Sequence, residues 1–217
     1  MKAAGPQRHR IVVALGFVIL LASAHGRADS VDPSYGRIEG DVAVAPGLGF
    51  AAVARGASLV GEMRIRYLET AGIFAVYEDG SVVGSAAEPR RSLAVGTELR
   101  PLFLARYLQD LEVRRAWFDL IVDSLGLDLG AVFAQPAGGA FGGFPGLQVG
   151  LGFGVPLALQ ACGPWVGIHG GIRWSEDALT TGRVRGADDR SAYLAFTIVY
   201  EQLFMTHLVD VGDRRPE

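Results

Sequence analysis

From residue 37 onward the chain alternates apolar and polar positions repeatedly, the period-two pattern of strands with two unlike faces. In 37–44, Arg37, Glu39 and Asp41 alternate with Ile38, Gly40, Val42 and Val44. In 59–67, Leu59, Gly61, Met63, Ile65 and Tyr67 stand against Glu62, Arg64 and Arg66. In 93–99, Leu93, Val95, Thr97 and Leu99 stand against Ala94, Gly96 and Glu98, and Arg100 continues the second face. The stretches 125–133 and 147–157 set leucine, valine and phenylalanine against Gly126, Asp128, Gly130, Gln148, Gly150, Gly152 and Gly154. In 165–174 and 193–201, apolar positions face away from His169, Arg173, Thr197 and Glu201. Two weaker stretches, 48–55 and 71–78, also read as strands.

Such strands suit two architectures. In a soluble sandwich the apolar face is the core and the polar face meets water. In a transmembrane barrel the apolar face meets lipid and the polar face lines the lumen. Strands of about nine to eleven residues match a tilted bilayer crossing. Polar faces of small residues and closely spaced opposite charges suit a confined lumen. Tyr67, Trp174 and Tyr200 lie near the ends of apolar faces, where interfacial girdles form.

The segments give nine candidates, and single-chain bacterial barrels have even strand numbers with long outer loops and short periplasmic turns. The links 80–91, 136–145 and 175–190 are long; 69–71 and 159–163 are short. Read back from a periplasmic C-terminus these links alternate correctly, so the surplus lies near the start. There 37–44 and 48–55 do not both form full strands across Pro46-Gly47. The expected fold is all-β, an antiparallel up-and-down barrel of eight strands, with ten as the alternative count. The long link 106–124 falls at a periplasmic turn, and Leu111, Phe118, Ile121, Val122 and Leu125 sit at helical spacing. One short amphipathic helix is expected near 113–123, against the barrel end or the bilayer surface.

Residues 1–24 read as an export signal. Lys2, Arg8, His9 and Arg10 precede the apolar run 11–21, and Ala22-Ser23-Ala24 offers an A-x-A cleavage site, with Gly26-Arg27-Ala28 as a second. That run is too short for a comfortable helical span of about 20 residues. The expected domain organisation is this leader, then 25–217 as one barrel with a short C-terminal extension. Cleavage removes the only lysine, three of the 20 basic residues and none of the 23 acidic ones.

On this reading the lumen holds Arg37, Glu39, Asp41, Glu62, Arg64, Arg66, Glu98, Arg100, Asp128, Gln148, His169, Arg173 and Glu201. An eight-stranded barrel is just wide enough for side chains to fill, and buried charges must pair. The expectation is an ion-paired plug. Seven glycines (126, 130, 150, 152, 154, 167 and 171) would form one bare wall. Large residues opposite it, such as Arg64, Arg66 and Tyr193, are expected to fill the space, because interiors are close-packed.

Composition narrows the chemistry. The formal charge of −3 argues against a nucleic-acid binder that relies on bulk positive charge. A single cysteine, Cys162, excludes an intramolecular disulfide and a multi-cysteine zinc site. No H-E-x-x-H, G-x-S-x-G or C-x-x-C occurs. Beyond the leader and its cleavage site only His169 and His207 remain as histidines, and His169 reads as a hydrogen-bonded filler rather than a general base. No catalytic, cofactor or metal residue is assigned. The loop 175–190, with its mixed charges, is a solvated segment or a recognition surface for an extracellular partner.

The chain after its leader resembles the small outer-membrane β-barrel proteins of Gram-negative bacteria, through LVGEMRIRY, LQVGLGFGVPL and YLAFTIVYEQLF. The resemblance is architectural. It implies an outer-membrane location and membrane lipid as the surroundings, and brings no catalytic motif. Such barrels commonly end on an aromatic residue. Phe204 fits, but 205–217 follow it, as a strand reaching Val209 or as a periplasmic extension. The expected function is a non-enzymatic structural or surface-interaction barrel with a largely filled lumen. The alternatives are a lipid-modifying outer-membrane enzyme acting through His169, and a soluble periplasmic barrel that binds an apolar ligand with its apolar faces inward.

Overall fold

A computed structural model describes residues 34–53, 55–82, 89–136, 138–182 and 189–206. The segment 1–28 read as an export leader with its cleavage candidates, and the tail from His207 onward, lie outside the described residues.

Eight antiparallel strands follow one another around a closed barrel: β1 (Val42–Val53), β2 (Gly56–Tyr67), β3 (Ala71–Asp79), β4 (Arg91–Leu99), β5 (Gly126–Gln135), β6 (Gly146–Pro156), β7 (Gly163–Trp174) and β8 (Arg190–Phe204). Every strand pairs with its sequence neighbour, and β8 closes on β1. Closure leaves no open sheet edge. The surplus candidate resolves as the loop-length parity requires: one strand, β1, runs straight through Pro46-Gly47. Its ladder to β2 is continuous, while the ladder to β8 is interrupted between Val44↔Gln202 and Gly47↔Val199. Pro46 has no N–H to give there.

The expected strand 37–44 is corrected at its start. Residues 34–38 form a turn, with Tyr35 at φ 52° and Gly36 at φ 84°, and strand geometry begins only at Val42. A turn destroys period-two parity, so the faces assigned to Arg37, Glu39 and Asp41 do not carry over from the strand.

The links 68–70, 100–125 and 157–162 gather at the end where β1 begins and β8 finishes, here called the terminal end. At the other end, here called the loop end, β1, β3, β5 and β7 finish and β2, β4, β6 and β8 begin. The helix expected near 113–123 is α2 (Ala116–Asp123). Among the described residues there are two further helices, α1 (Leu102–Leu108) and α3 (Glu176–Thr181). The second of these lies in the link 175–190, read from the sequence as a solvated loop or recognition surface. The Ser175 hydroxyl accepts from Ala178 N at 3.1 Å, and Gly182 ends the helix at φ 65°. No described helix is long and apolar enough to cross a membrane.

Alternation decides the two sides of the wall. Outward positions carry Leu48, Phe50, Met63, Ile65, Ile73, Val95, Leu127, Leu129, Leu151, Phe196 and Ile198, all exposed. Among the described strand residues the charges on this outer face are Asp79, Arg91 and Arg190, all at the loop end. The apolar faces therefore point out and the charged faces in, which removes the inverted barrel with an apolar interior.

Candidate functional site

The site is the barrel interior with its two ends. Inward side chains form successive layers. At the terminal end Ala45, Trp165 and Val199 pack around Leu120 of α2, which reaches into the barrel mouth. Above lies a charged layer. Above that, Ala51, Val60, Phe74, Val76, Ala94, Val132 and Ala195 form an apolar layer. Nearest the loop end Arg173, Gln148, Glu78 and Tyr193 make a second polar layer.

In the charged layer Arg64 lies between Glu62 (3.0 Å), Asp128 (3.2 Å) and Glu98 (3.2 Å). Arg66, buried to 1%, donates to Glu69 at 3.1 Å, bonds Glu201, and stands 3.7 Å from Glu98. Arg100 completes the ring through Glu98 (2.7 Å) and Glu69 (3.2 Å). His169 Nδ1 lies 3.2 Å from Asp128 and 3.1 Å from Arg64. The Thr197 hydroxyl donates to Glu62. Aromatic faces back two of the lumen guanidiniums: Phe74 under Arg64 at 5.3 Å and Tyr193 under Arg173 at 4.1 Å. Arg173 also holds Glu78 through both terminal nitrogens, at 2.9 and 2.6 Å.

The glycine wall is filled. A Cβ on Gly152 would lie 2.0 Å from His169 Nδ1, and one on Gly150 would lie 2.5 Å from the Tyr193 hydroxyl. Trp165, Thr197 and Phe74 occupy the space before Gly154, Gly167 and Gly130 in the same way. Glycine is required at these positions because inward side chains from strands one or two away carry the volume, not Arg64 and Arg66 from the far wall as expected. Two voids of about 10 and 20 Å³ lie in the interior, each room for about one water.

Of the expected lumen residues, Glu62, Arg64, Arg66, Glu98, Arg100, Asp128, Gln148, His169, Arg173 and Glu201 are all buried inside the wall. Three differ, each because it precedes β1. Arg37 is buried in the terminal-end plug, donating to Ser34 O at 2.8 Å and to Glu112 at 2.7 Å, and bonding Asp123. Glu39 is solvent-exposed. Asp41 is half-buried at the rim, where it accepts from Thr206 N at 2.5 Å and Thr206 Oγ1 at 2.6 Å.

Sequence reasoning missed Glu69, Glu78 and the plug carboxylates. Glu78 shares parity with Phe74 and Val76, so the signal was present in a weak strand. Glu69 had none: it sits in the β2–β3 reversal, where Leu68 and Glu69 adopt φ 48° and 53°. This backbone turns its carboxylate back onto Arg66 and Arg100.

The plug is the second construction. Asp119 accepts from Arg106 (2.6 Å), Val113 N (3.0 Å), Tyr35 (3.1 Å) and Arg115 N (3.1 Å). Arg106 also reaches Asp123 at 2.5 Å. Burial is the largest effect on Asp119 and opposes ionisation. The donors outweigh it and hold the carboxyl below the usual aspartate range. Burial, aided by Asp119, pushes the Tyr35 phenol up to about 12. Burial also raises Glu112. The Ser124 hydroxyl ties the end of α2 to β6 through Gly154 O (3.0 Å) and N (2.8 Å). Phe103 of α1 lies 4.2 Å beneath the Arg37 guanidinium.

At the loop end an open cup of about 360 Å³ lies between Pro136, Phe144, Trp174 and Glu176, with Arg173 in its lining. The filled layers continue from there to the plug, so the cup is a dead end. Among the described residues no group of three or more His, Cys, Asp or Glu side chains could hold a metal ion.

No known protein family matches the chain, and no curated protein matches it. Among solved structures it is similar to a de novo designed protein, TMB2.3, at 10% identity and a TM-score of 0.37, covering 74% of this chain and 93% of the design.

Proposed function

We propose that this chain is an integral outer-membrane β-barrel, a non-enzymatic structural or surface-interaction protein whose interior is closed to solute flow. The observation that carries this is the pairing of an apolar outer wall with a charged, filled interior. Among the described strand residues, its outer charges are confined to the loop end. A soluble protein rarely exposes a contiguous apolar patch beyond a few hundred Å². A nine-residue strand such as β3 rises about 23 Å along an axis tilted ~40°, close to the ~25 Å apolar band of such barrels. The leader-like segment 1–24 supports export. The dead-end cup favours reception of a surface partner over conduction, and α3 from the loop 175–190 forms part of its wall.

Cell fractionation followed by electrophoresis of unheated and boiled samples tests the reading. Recovery in the outer membrane with a heat-dependent mobility shift is expected. Recovery in the soluble periplasm would overturn it.

A further inference from the structure

α2 uses one face to close the barrel, through Asp119, Leu120 and Asp123. Its other face is largely uncovered among the described residues. Trp117 and Phe118 are 55% and 51% exposed, and Leu111 and Val113 beside them are also exposed. Arg114 and Arg115 are exposed in the same stretch, and neither guanidinium is paired among the described residues. The acids Glu112, Asp119 and Asp123 turn inward to Arg37 and Arg106, leaving Asp110 as the exposed acid of the link between α1 and α2. The exposed face is thus apolar, aromatic and cationic.

Its position matters as much as its chemistry. Trp117 Nε1 donates to Pro156 O, at the last residue of β6, over 3.3 Å. Leu157 and Leu125, both exposed, prolong the outward faces of β6 and β5 at the same level. The helix face therefore continues the apolar wall at its terminal-end rim.

We infer that the 111–118 face docks on the headgroup layer of the leaflet at the terminal end, with anionic phospholipid as its partner. Trp117 and Phe118 enter the acyl boundary, where amphipathic rings are at home. Arg114 and Arg115 hold lipid phosphate, for which a guanidinium fork is suited. One segment thus plugs the barrel from within and fixes its height in the bilayer. The inference rests on the membrane-spanning reading above.

The test folds the chain without its leader into phosphatidylcholine vesicles, with or without phosphatidylglycerol, using lipids brominated near the headgroup. In a Trp174→Phe background, which silences the tryptophan at the loop-end girdle, the chain should show tryptophan quenching that Trp117→Phe largely removes, and phosphatidylglycerol should deepen it. The R114E/R115E double variant should abolish that deepening. At the usual surface-charge contribution of each arginine, the two together shift docked over undocked by roughly 25-fold. Equal quenching with and without W117F in that background, in chains that still show the folded mobility shift, would overturn the docking. Protection of Trp117 that grows with protein-to-lipid ratio instead of anionic lipid would assign the face to a second copy and overturn the lipid partner. Absence of any mobility shift would overturn the barrel reading itself.

Discussion

Replacing Arg66 by methionine keeps most of the side-chain volume and removes the charge. Arg66 is 1% exposed and holds three carboxylates. They do not lose equally. Glu69 retains Arg100 at 3.2 Å, and Glu98 retains Arg100 at 2.7 Å and Arg64 at 3.2 Å. Glu201 has Arg66 as its one ion-pair partner among the described residues. The cost therefore concentrates on a buried carboxylate left alone, about 3–5 kcal/mol. At a urea slope of about 2 kcal/mol per molar, the unfolding midpoint of the vesicle-inserted barrel should fall by about 2 M. Adding Glu201→Gln to Arg66→Met should recover most of the loss, because the orphaned charge is gone and the packing is nearly kept. Tryptophan fluorescence and the fraction of unheated protein with folded mobility both read the transition. A loss below about 1 kcal/mol for the single variant, or a double variant no more stable than the single, would refute the orphaned-charge reasoning.

Leu129→Arg places a charge on the outward face of β5. It should cost about 2–4 kcal/mol in a bilayer, and a near-zero effect on folding into vesicles would contradict lipid contact there. Gly152→Ala drives a Cβ to 2.0 Å from His169 Nδ1. It should destabilise by about 1–3 kcal/mol, and combining it with His169→Ala should relieve the clash, which urea unfolding of both variants checks. The plug should loosen in acid: the Asp119 carboxyl is held below its ordinary range, so its contribution is present above about pH 3.9 and is lost as pH falls through the lower folded value. Proteolysis of the 100–125 link against pH should show protection at neutrality, lost in acid for wild type. Asp119→Asn should lack that acid-dependent step.

Period two made the two faces of β2, β4, β5, β6, β7 and β8 legible from the sequence, because a strand's side chains alternate with no dependence on what it pairs with. Link lengths then ordered the strands, since antiparallel neighbours need only short turns. Legibility failed where the backbone leaves the strand. Glu39 and Asp41 were assigned by parity, but parity has no meaning in the turn before Val42. Glu69 entered the charged layer through a reversal with positive φ, and Asp119 and Asp123 through a helix that folds back into the barrel mouth.

The sequence by itself determined a chain of strands with two unlike faces and a set of charges that needed partners; which face is inside was decided by the structure. Which charge meets which was decided only by the tertiary structure. Arg66 and Glu201 are 135 positions apart, and Arg173 and Glu78 are 95. Those distances in sequence become contacts because closure and register set each inward residue opposite a particular one across the lumen. Register between neighbouring strands sets His169 and Tyr193 against glycines, a complementarity of volumes that no single strand contains.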